Sequence, residues 1–403
     1  MHAPRPAGSA PSASPVLQPA PLPARTSPPG PTGLASRLDP LMVAGGMGPV
    51  RTGAVVDVAT GLLLYGHRAA TATTPASTTK LATAVAALGT LGPGHRLTTA
   101  VVATEPGRVV LVGGGDPTLE LPRLVADTAT ALKARGTTSV RLAYDTSYYS
   151  GPALHPIGRN DNLAPVTSLM VREGRLDASR SGPAPRAYEP ASAAADAFAA
   201  LLERRGVTVT GAPVPGRAAG GTRLAVHRSA PVSELVERML TTSDNDVAEA
   251  LARQVARATG QPGSFAGVAE ALPAALRRYG VPLTGAVFTD GSGLARGDRL
   301  APLTLVRLLS LAASPDHPEL RPVLTGLPVA AFTGTLAARF HTTAGAGLVR
   351  AKTGTLTGTN TIAGTTVTPA GRLLAFAFMT QGAPSAQDAR SALDRLTTAL
   401  TRG

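Results

Sequence analysis

The sequence predicts an α+β fold, in which an antiparallel sheet with flanking helices and a helical subdomain is interrupted by an inserted α/β subdomain. The first observation is that β-rich runs lie near both ends of the globular part, at residues 53–65 and 347–379. This order indicates one sheet whose first and last elements meet, with the intervening helices packed on it. The second observation is a change in the sequence pattern between residues 98 and 224, where short β-like runs separated by Gly and Pro replace helical periodicity.

Each element follows from a local pattern. A Thr-Gly turn joins the first two β-rich runs and predicts a hairpin, and Pro75 precedes a helix over residues 77–88. In the insert we expect strands at 101–102, 109–112 and 139–142 and helices at 121–135 and 191–205. After the insert we expect helices at 232–240, 246–256, 264–279, 302–313 and 386–400, and strands at 348–351, 361–363 and 373–378.

The same boundaries predict the domain organisation. Residues 1–34 are rich in Pro, Ala and Ser, which predicts a disordered leader. Residues 35–97 and 225–403 form the predicted main domain, and residues 98–224 form the insert. A secretory signal needs about 7–15 consecutive apolar residues and a membrane anchor roughly 20, and neither is visible in this sequence.

The composition of the 403-residue chain narrows the classes of function. The formal net charge is +13, but the basic residues are scattered and aromatic residues make up 3%, so we expect no nucleic-acid partner. Either a solvated basic surface or attraction to an anionic cell envelope explains the charge. Cysteine is absent and the seven His show no metal-ligand spacing, so we expect neither a metal nor another cofactor.

Three short motifs follow one another along the chain, and the first is Ser77-Thr-Thr-Lys80. On a helix this spacing places the serine hydroxyl and the lysine amine one turn apart on the same face. The amine of Lys80 can then take the proton of Ser77, which makes Ser77 a candidate nucleophile. A motif this short also arises by chance, as a helix N-cap followed by a surface lysine.

The scarcity of lysine favours the catalytic interpretation. Only Lys80, Lys133 and Lys352 are lysines in a chain with 38 basic residues, and two of these three lie inside the motifs. Where arginine fills almost every basic position, a lysine indicates a task that arginine cannot perform, such as releasing a proton. The same argument applies more weakly to Asn245, one of four asparagines.

The second and third motifs supply the remaining candidate groups. Ser243-Asp-Asn245 lies on a turn between helices, where Ser243 can relay a proton and Asn245 can bind a substrate amide, although Ser243 or Asp244 could equally cap the next helix.

In the third motif, Lys352 can hold a carboxylate, while Thr353, Gly354 and Thr355 offer an edge strand to an extended peptide. The backbone N–H groups of Ser77 and Thr355 are candidates for an oxyanion hole.

With these motifs in that order, the chain resembles the penicillin-binding protein and serine β-lactamase superfamily, and within it the D-alanyl-D-alanine carboxypeptidase/endopeptidase family called peptidase S13. The segments that resemble this family's signatures are residues 113–119 (GGGDPTL), 144–147 (YDTS), 290–296 (DGSGLAR) and 334–336 (GTL). The long stretch between Lys80 and Ser243 is also similar to the domain inserted in that family.

The resemblance implies a function and a location. It implies removal of the terminal D-alanine from peptidoglycan stem peptides, and cleavage of D-amino-acid cross-links, through an ester on Ser77 that penicillins and other β-lactams would also form. Such a protein acts outside the cytoplasm. It also implies that Arg296, with Asp145 or Asp161 on the insert, helps to recognise the diamino acid of the stem peptide, although salt bridges and turns explain these residues equally well.

Two other functions stay open at this point. A β-lactamase of the most familiar class needs a glutamate between the first two motifs, and no Glu-x-x-x-Asn occurs in residues 81–242. A non-catalytic wall-binding protein could keep the fold without its activity, but all the motif residues are present. The balance between carboxypeptidase and endopeptidase activity, the preferred cross-link, the export route and the oligomeric state are not determined by these patterns.

Overall fold

The structure, a computed structural model, describes residues 31–402, with only the backbone described at residues 31 and 32. Most of the predicted leader, residues 1–30, therefore lies outside the described residues. Helix α1 (Pro31–Val43) begins inside the segment that the sequence analysis assigned to the leader. Its side chains Leu34, Leu38 and Met42 follow one another at intervals of four and are buried in a core cluster, which explains why this short segment is helical.

The sheet of the main domain has five strands in the order β2-β1-β11-β10-β9, and every neighbouring pair is antiparallel. The first and last β-rich runs therefore meet in one sheet, as predicted. Strand β9 pairs with β10 on one edge, and on the other edge its first residues are bridged by the segment 328–330, where Ala351 N–H donates to the Pro328 carbonyl oxygen. From Lys352 onward, no strand of the described chain pairs with that outer edge. The strands are β1 (Val50–Asp57), β2 (Leu63–His67), β9 (Arg350–Leu356), β10 (Thr359–Val367) and β11 (Leu373–Gln381).

Helices cover both faces of this sheet because its central strands are apolar on both sides. On β11, Ala375 and Ala377 enter one core cluster while Phe376 and Phe378 enter the other, as the alternation of side chains along a strand requires. Helix α1 packs on the second face together with the C-terminal helix. The helices are α2 (Thr79–Leu91), α5 (Val232–Thr242), α6 (Asn245–Ala258), α7 (Phe265–Arg277), α8 (Pro302–Ala313), α9 (Pro322–Thr325) and α10 (Ala386–Ala399).

The insert has its own mixed sheet. Strand β4 is antiparallel to β3 and parallel to β5, and helix α3 makes the crossover that a parallel pair needs. The sheet begins at Arg96 and ends at Pro231, slightly outside the predicted limits of 98 and 224. Its elements are β3 (Arg96–Glu105), β4 (Arg108–Val112), α3 (Leu121–Lys133), β5 (Ser139–Asp145), α4 (Pro190–Arg204), β6 (Thr208–Val209), β7 (Val214–Pro215) and β8 (Thr222–Pro231).

Between β5 and α4, residues 146–189 form a long connection with little regular structure. It does not stay on the insert. The backbone N–H of Ala164 donates to Asp246 at the start of α6, and the backbone carbonyl of Asn162 accepts from Asn245. This connection therefore forms one side of the cleft described below. No helix within residues 31–402 combines the length and apolar character needed to cross a membrane.

Candidate active site

Ser77 lies in a single 3-10 turn, Ala76–Thr78, that leads directly into α2. Ala76 has φ +49°, in the left-handed region where a residue with a Cβ is strained. Gly293 lies against this turn so closely that a Cβ on it would come within 2.0 Å of the Ala76 carbonyl oxygen. The loop around Gly293 thus holds the backbone that presents the partly exposed hydroxyl of Ser77 to the cleft.

Lys80 is fully buried one turn beyond Ser77. Its Nζ donates hydrogen bonds to Ser77 Oγ (3.1 Å), Asn245 Oδ1 (2.7 Å) and the Ser292 carbonyl oxygen (2.6 Å). Burial lowers the pKa of Lys80 to about 8, even though the carboxylates of Asp290 and Glu249 oppose that shift. An amine with this pKa can be neutral near physiological pH and accept the proton of Ser77.

A buried polar cluster supports the loop beneath Lys80. The carboxylate of Asp290 accepts from the backbone N–H groups of Gly293 (2.6 Å) and Ala295 (2.7 Å) and lies 2.9 Å from His155 Nε2. Burial raises the pKa of Asp290, but the contact with His155 more than offsets it, and the pKa lies below its usual value. Burial next to the carboxylate of Asp290 raises the pKa of Asp298 above its usual value.

The same cluster contains three residue types that can bind a metal ion. His155, Glu249 and Asp290 each bring one ligand atom within 4.8 Å of the others. However, both oxygens of Asp290 already accept backbone hydrogen bonds, and Glu249 Oε1 accepts from the backbone N–H groups of Gly291 and Ser292. The 290–295 loop therefore engages three of the four carboxylate oxygens of the cluster, and Glu249 Oε2 is buried without a hydrogen-bond partner among the described residues.

The Ser-Asp-Asn turn joins α5 to α6, and it both caps α6 and holds Lys80. Ser243 adopts φ +60° at the C-terminus of α5, and Asp244 caps α6 by accepting a hydrogen bond from the backbone N–H of Val247 (3.0 Å). This confirms the capping alternative for Asp244. Asn245 holds Lys80 through Oδ1 and donates through Nδ2 to Asn162, so one N–H of its amide remains for a substrate.

Strand β9 brings the third motif against Ser77. Lys352 is fully buried, and its Nζ donates to Ser243 Oγ (3.0 Å) and to the Thr353 carbonyl oxygen (2.7 Å). Burial, and then the charge of Lys80, lower the pKa of Lys352 well below its usual value. A Cβ on Gly354 would lie 2.9 Å from the Ser77 backbone nitrogen and 2.8 Å from the Pro75 carbonyl oxygen, so only glycine allows this approach.

The three motifs line one cleft of about 410 Å³ at the junction of the main domain and the insert. Ser77, Ser243, Asn245, Thr353 and Thr355 all contribute to its wall, whereas Lys80 and Lys352 lie beneath it. The remaining lining residues are Asn162, Arg175, Ser181, Gly182, Pro183, Arg186, Thr242, Asp244, Leu294, Thr335, Arg339 and Arg390.

The insert side of the cleft is organised around one buried carboxylate, Glu173. It pairs with Arg175 (2.8 Å), Arg186 (3.8 Å) and Arg238, which lies on α5 in the main domain. Arg186 also pairs with Asp246 (3.2 Å), next to the Ser-Asp-Asn motif, and burial raises the pKa of Asp246 to about 7. Glu173 itself has φ +60°, so its ion pairs hold a strained turn at the boundary between the two parts.

The structure does not place Arg296, Asp145 or Asp161 among the residues that line the cleft. Asp145 ends β5, where its carboxylate is buried and accepts from the backbone N–H groups of Ser147 and Ala218. Arg296 is exposed and donates to the Thr357 carbonyl oxygen (3.1 Å), while Asp161 lines a separate groove on the insert. These contacts agree with the alternative interpretation, in which turns and local contacts explain the three residues.

Sequence reasoning missed the groups that hold the motifs in place. Asn162 and the carbonyl of Ser292 bind Asn245 and Lys80, and Glu173 organises the insert wall. Asp290 and Ser292 lie in the segment 290–296, which resembles a family signature. That resemblance is the sequence feature that could have identified the residues that hold Lys80. No local pattern identifies Asn162. Its backbone carbonyl meets the side chain of Asn245 only when the fold brings together two positions about eighty residues apart.

Comparison with known proteins gives consistent results. The chain matches the model of the D-Ala-D-Ala carboxypeptidase 3 (S13) family over residues 34–185 and 179–400. It is 39% identical to carboxypeptidase DacB of Mycolicibacterium smegmatis, with 99% of this chain and 89% of that protein covered. It is 32% identical to the D-alanyl-D-alanine carboxypeptidase of Actinomadura sp., with 81% of this chain and 77% of that protein covered.

Solved structures confirm the predicted fold of the penicillin-binding protein type. Penicillin binding protein 4 from Haemophilus influenzae superposes with a TM-score of 0.76 at 23% identity, over 91% of this chain and 97% of that one. A predatory endopeptidase from Bdellovibrio bacteriovorus superposes with a TM-score of 0.56 at 19% identity, over 87% of this chain and 92% of that one.

Proposed function

Because the chain belongs to the D-Ala-D-Ala carboxypeptidase 3 (S13) family, we propose that it is a serine D-Ala-D-Ala carboxypeptidase that forms its acyl-enzyme on Ser77. The observation that carries the assignment of the nucleophile is the contact between Ser77 Oγ and Lys80 Nζ, at 3.1 Å, with the lysine fully buried. A buried amine of lowered pKa next to a serine hydroxyl is the arrangement that activates such a nucleophile.

In the acylation step, Ser77 Oγ attacks the carbonyl carbon of the penultimate D-alanine, and its proton passes to the neutral amine of Lys80. The carbonyl oxygen takes up the negative charge, and the backbone N–H groups of Ser77 and Thr355 stabilise it. A donor of this kind contributes about 3–4 kcal/mol to the transition state. The close approach of Gly354 to the Ser77 backbone nitrogen supports this assignment, because it brings the two donors to the same point.

The intermediate then collapses and the bond to the terminal D-alanine breaks. The leaving amine takes the hydroxyl proton of Ser243, which lines the same cleft and accepts a hydrogen bond from Lys352 Nζ at 3.0 Å. The proton that Lys80 took from Ser77 then replaces the one lost by Ser243, so the amine of Lys80 is neutral again before deacylation. Asn245 keeps Lys80 in place and offers its remaining N–H to an amide of the stem peptide. Water subsequently hydrolyses the ester, with Lys80 positioned to accept its proton.

The substrate is the stem peptide of peptidoglycan, and the protein accordingly acts outside the cytoplasm, where that polymer lies. The open edge of β9, with Thr353 and Thr355 facing the cleft, suits an extended peptide. We propose that cross-linked peptides, which endopeptidases cleave, use the same edge, and that the net charge of +13 favours association with the anionic envelope. We also propose that residues 98–224 form a subdomain inserted into the main domain.

β-Lactams should acylate Ser77 as mimics of the substrate. A structure of Haemophilus influenzae penicillin binding protein 4 in complex with a β-lactam superposes on this chain with a TM-score of 0.73. The rival function of a β-lactamase needs a base that hydrolyses the acyl-enzyme rapidly. In the described cleft the only lining carboxylate is Asp244, and it is engaged in capping α6 and in pairing with Arg238.

The experiment is to incubate the protein and a Ser77→Ala variant with a fluorescent penicillin and to follow the intact mass over time. We expect a persistent adduct on the wild-type protein and none on the variant. Rapid release of the label would indicate a β-lactamase instead, and a lack of any adduct would favour the non-catalytic wall-binding protein. Release of D-alanine from a peptide ending in D-Ala-D-Ala completes the assignment.

A further inference from the structure

Glu249 and Lys80 bind the two backbone polar groups of one residue, Ser292. Lys80 Nζ donates to the Ser292 carbonyl oxygen (2.6 Å), and the Ser292 backbone N–H donates to Glu249 Oε1 (2.9 Å). Glu249 lies on α6, one turn after Asn245, which also accepts a hydrogen bond from Lys80. A single residue of the 290–295 loop therefore separates a fully buried carboxylate from the fully buried amine.

The hydrogen bonds of Glu249 need only one of its two oxygens. Oε1 accepts from the backbone N–H groups of Gly291 (3.1 Å) and Ser292 (2.9 Å), whereas Oε2 has no hydrogen-bond partner among the described residues. The amide oxygen of a glutamine could accept the same two hydrogen bonds. Asp290 differs, because both of its oxygens accept from the loop backbone. The property of Glu249 that these hydrogen bonds do not require is its negative charge.

No salt bridge within residues 31–402 neutralises Glu249. Arg253, one turn further along α6, donates instead to three backbone carbonyl oxygens at 2.9, 3.3 and 3.4 Å. His155 accepts from the backbone N–H of Ile157 through Nδ1, so its ring proton is on Nε2 and the imidazole is uncharged. The charge of Glu249 is therefore left to act on other groups, and Lys80 is among them.

Negative charges near Lys80 oppose the effect of its burial. Burial lowers the pKa of Lys80 to about 8, and the carboxylates raise it, in the order Asp290, Glu249, Asp244 and Asp298. Lys352 is the other buried cationic side chain that faces this amine. A general base is most effective when its pKa lies near the working pH, because a much weaker base takes up a proton less readily. Nearby carboxylates thus keep the buried amine within the useful range.

We propose that Glu249 is a positioning residue for Lys80: it holds the Ser292 carbonyl against the amine and supplies a buried negative charge that keeps the amine basic enough to accept a proton. The inference rests on the proposed acylation of Ser77. Asp290 acts in the same direction, but its charge cannot be removed without disturbing the loop that both of its oxygens hold. In Glu249, the charge and the hydrogen bonds can be separated by substitution.

The test measures the rate of acylation by a fluorescent penicillin between pH 6 and pH 10 for the wild-type protein, Glu249→Gln and Glu249→Ala. Glutamine keeps the acceptor for the loop and removes the charge, whereas alanine removes both. The control is Glu270→Gln, because Glu270 is an exposed carboxylate on α7. Far-ultraviolet circular dichroism at each pH shows whether a variant is folded.

We expect Glu249→Gln to move the midpoint of the pH–rate profile about one unit below that of the wild-type protein, because loss of a nearby negative charge makes the neutral amine available at lower pH. The plateau at high pH should fall by no more than about threefold, as expected for a somewhat weaker base. Glu249→Ala should lower the plateau by about tenfold or more, because the loop also loses its acceptor. Glu270→Gln should keep both the midpoint and the plateau.

An unchanged midpoint in folded Glu249→Gln, while the wild-type protein is acylated, would overturn this inference alone. A wild-type protein that is not acylated at any pH would overturn the proposed function and this inference with it. If Glu249→Gln does not fold, infrared spectroscopy of the wild-type protein with ¹³C-labelled glutamate is decisive. The only other buried glutamate of residues 31–402, Glu173, is paired with arginines, so a neutral glutamic acid band that persists at pH 8 would mean that Glu249 has no charge. We expect no such band.

Discussion

The two walls of the cleft use opposite ways of burying positive charge. On the main-domain wall, Lys80 and Lys352 are fully buried, and the groups that directly contact them are hydroxyl, amide and carbonyl oxygens. On the insert wall, Arg175 and Arg186 are buried against the carboxylate of Glu173. The first arrangement lowers the pKa of a lysine, whereas the second keeps an arginine charged.

The difference follows from the chemistry of the two side chains. A desolvated lysine can release its proton, and here burial lowers the pKa of both lysines. Arginine remains protonated in proteins, so its burial requires a carboxylate partner. The comparison indicates that the main-domain wall carries out proton transfer and that the insert wall supports the shape and charge of the cleft. Each of the following predictions tests one side of this comparison.

The largest effect is expected for Lys80→Arg. Arginine keeps the positive charge but cannot accept the proton of Ser77, so we expect acylation by a fluorescent penicillin to slow by about 10³-fold or more, within the range for loss of a general base. Lys133→Arg is the matched control, because Lys133 is the third lysine of the chain and lies exposed at the end of α3. If Lys80→Arg is acylated at the wild-type rate, the assignment of Lys80 as the base is wrong.

The next effect concerns stability rather than chemistry. Glu173→Gln removes the one charge that Arg175, Arg186 and Arg238 share, and breaking a buried ion pair in this way typically costs about 3–5 kcal/mol. The free energy of unfolding in urea measures the loss.

The control for this change is Glu105→Gln, which removes a partly exposed pair with Arg108 at 3.6 Å and should cost about 0–1 kcal/mol. Equal losses in the two variants would contradict the view that Glu173 organises the insert wall.

A smaller effect is expected where the strand approaches the nucleophile. In Gly354→Ala, the new methyl group would lie 2.3 Å from Thr361 Oγ1 and 2.9 Å from the Ser77 backbone nitrogen, so β9 must move away. We expect acylation to slow by about 10²-fold, the effect of misplacing one oxyanion donor. Gly358→Ala, at the turn after β9, is the control: its φ of +76° strains the new alanine locally, but no atom lies within 4 Å of the added methyl group. Equal rates in both variants would remove the support for Thr355 as a donor.

Much of the fold was predictable because local patterns and long-range pairing agree. The hairpin at 53–65, the helices at 232–240 and 302–313 and the strands at 373–378 all appear at or near the predicted positions. Helix α1 was not predicted, because Pro40 lies inside it and its three buried side chains give only a short apolar stripe. Its stability comes from packing with α10, which no local pattern of residues 31–43 records.

The site was predictable only where motif spacing fixes geometry. The interval from Ser77 to Lys80 fixes a contact within one helical turn, and the structure has it at 3.1 Å. By contrast, the contacts of Asn162 and Glu173 with the main domain depend on how a connection of more than forty residues is routed across the cleft. Arg296, Asp145 and Asp161 were inferred from family resemblance without such a geometric constraint, and the structure places them outside the cleft lining.

The last prediction concerns pH and tests the role of Lys80 on the main-domain wall. The form of Lys80 that accepts the proton of Ser77 is the neutral amine, and burial lowers the pKa of Lys80 to about 8. The rate of penicillin acylation should therefore rise about tenfold per pH unit as the pH approaches 8 from below, and level off above it.

The rate is measured between pH 6 and pH 10 alongside far-ultraviolet circular dichroism, which shows that the fold is intact at each point. The arginines of the insert wall stay charged over this whole interval, so they contribute no step of their own. A rate that stays flat between pH 6 and pH 10 would mean that Lys80 is not the group that activates Ser77.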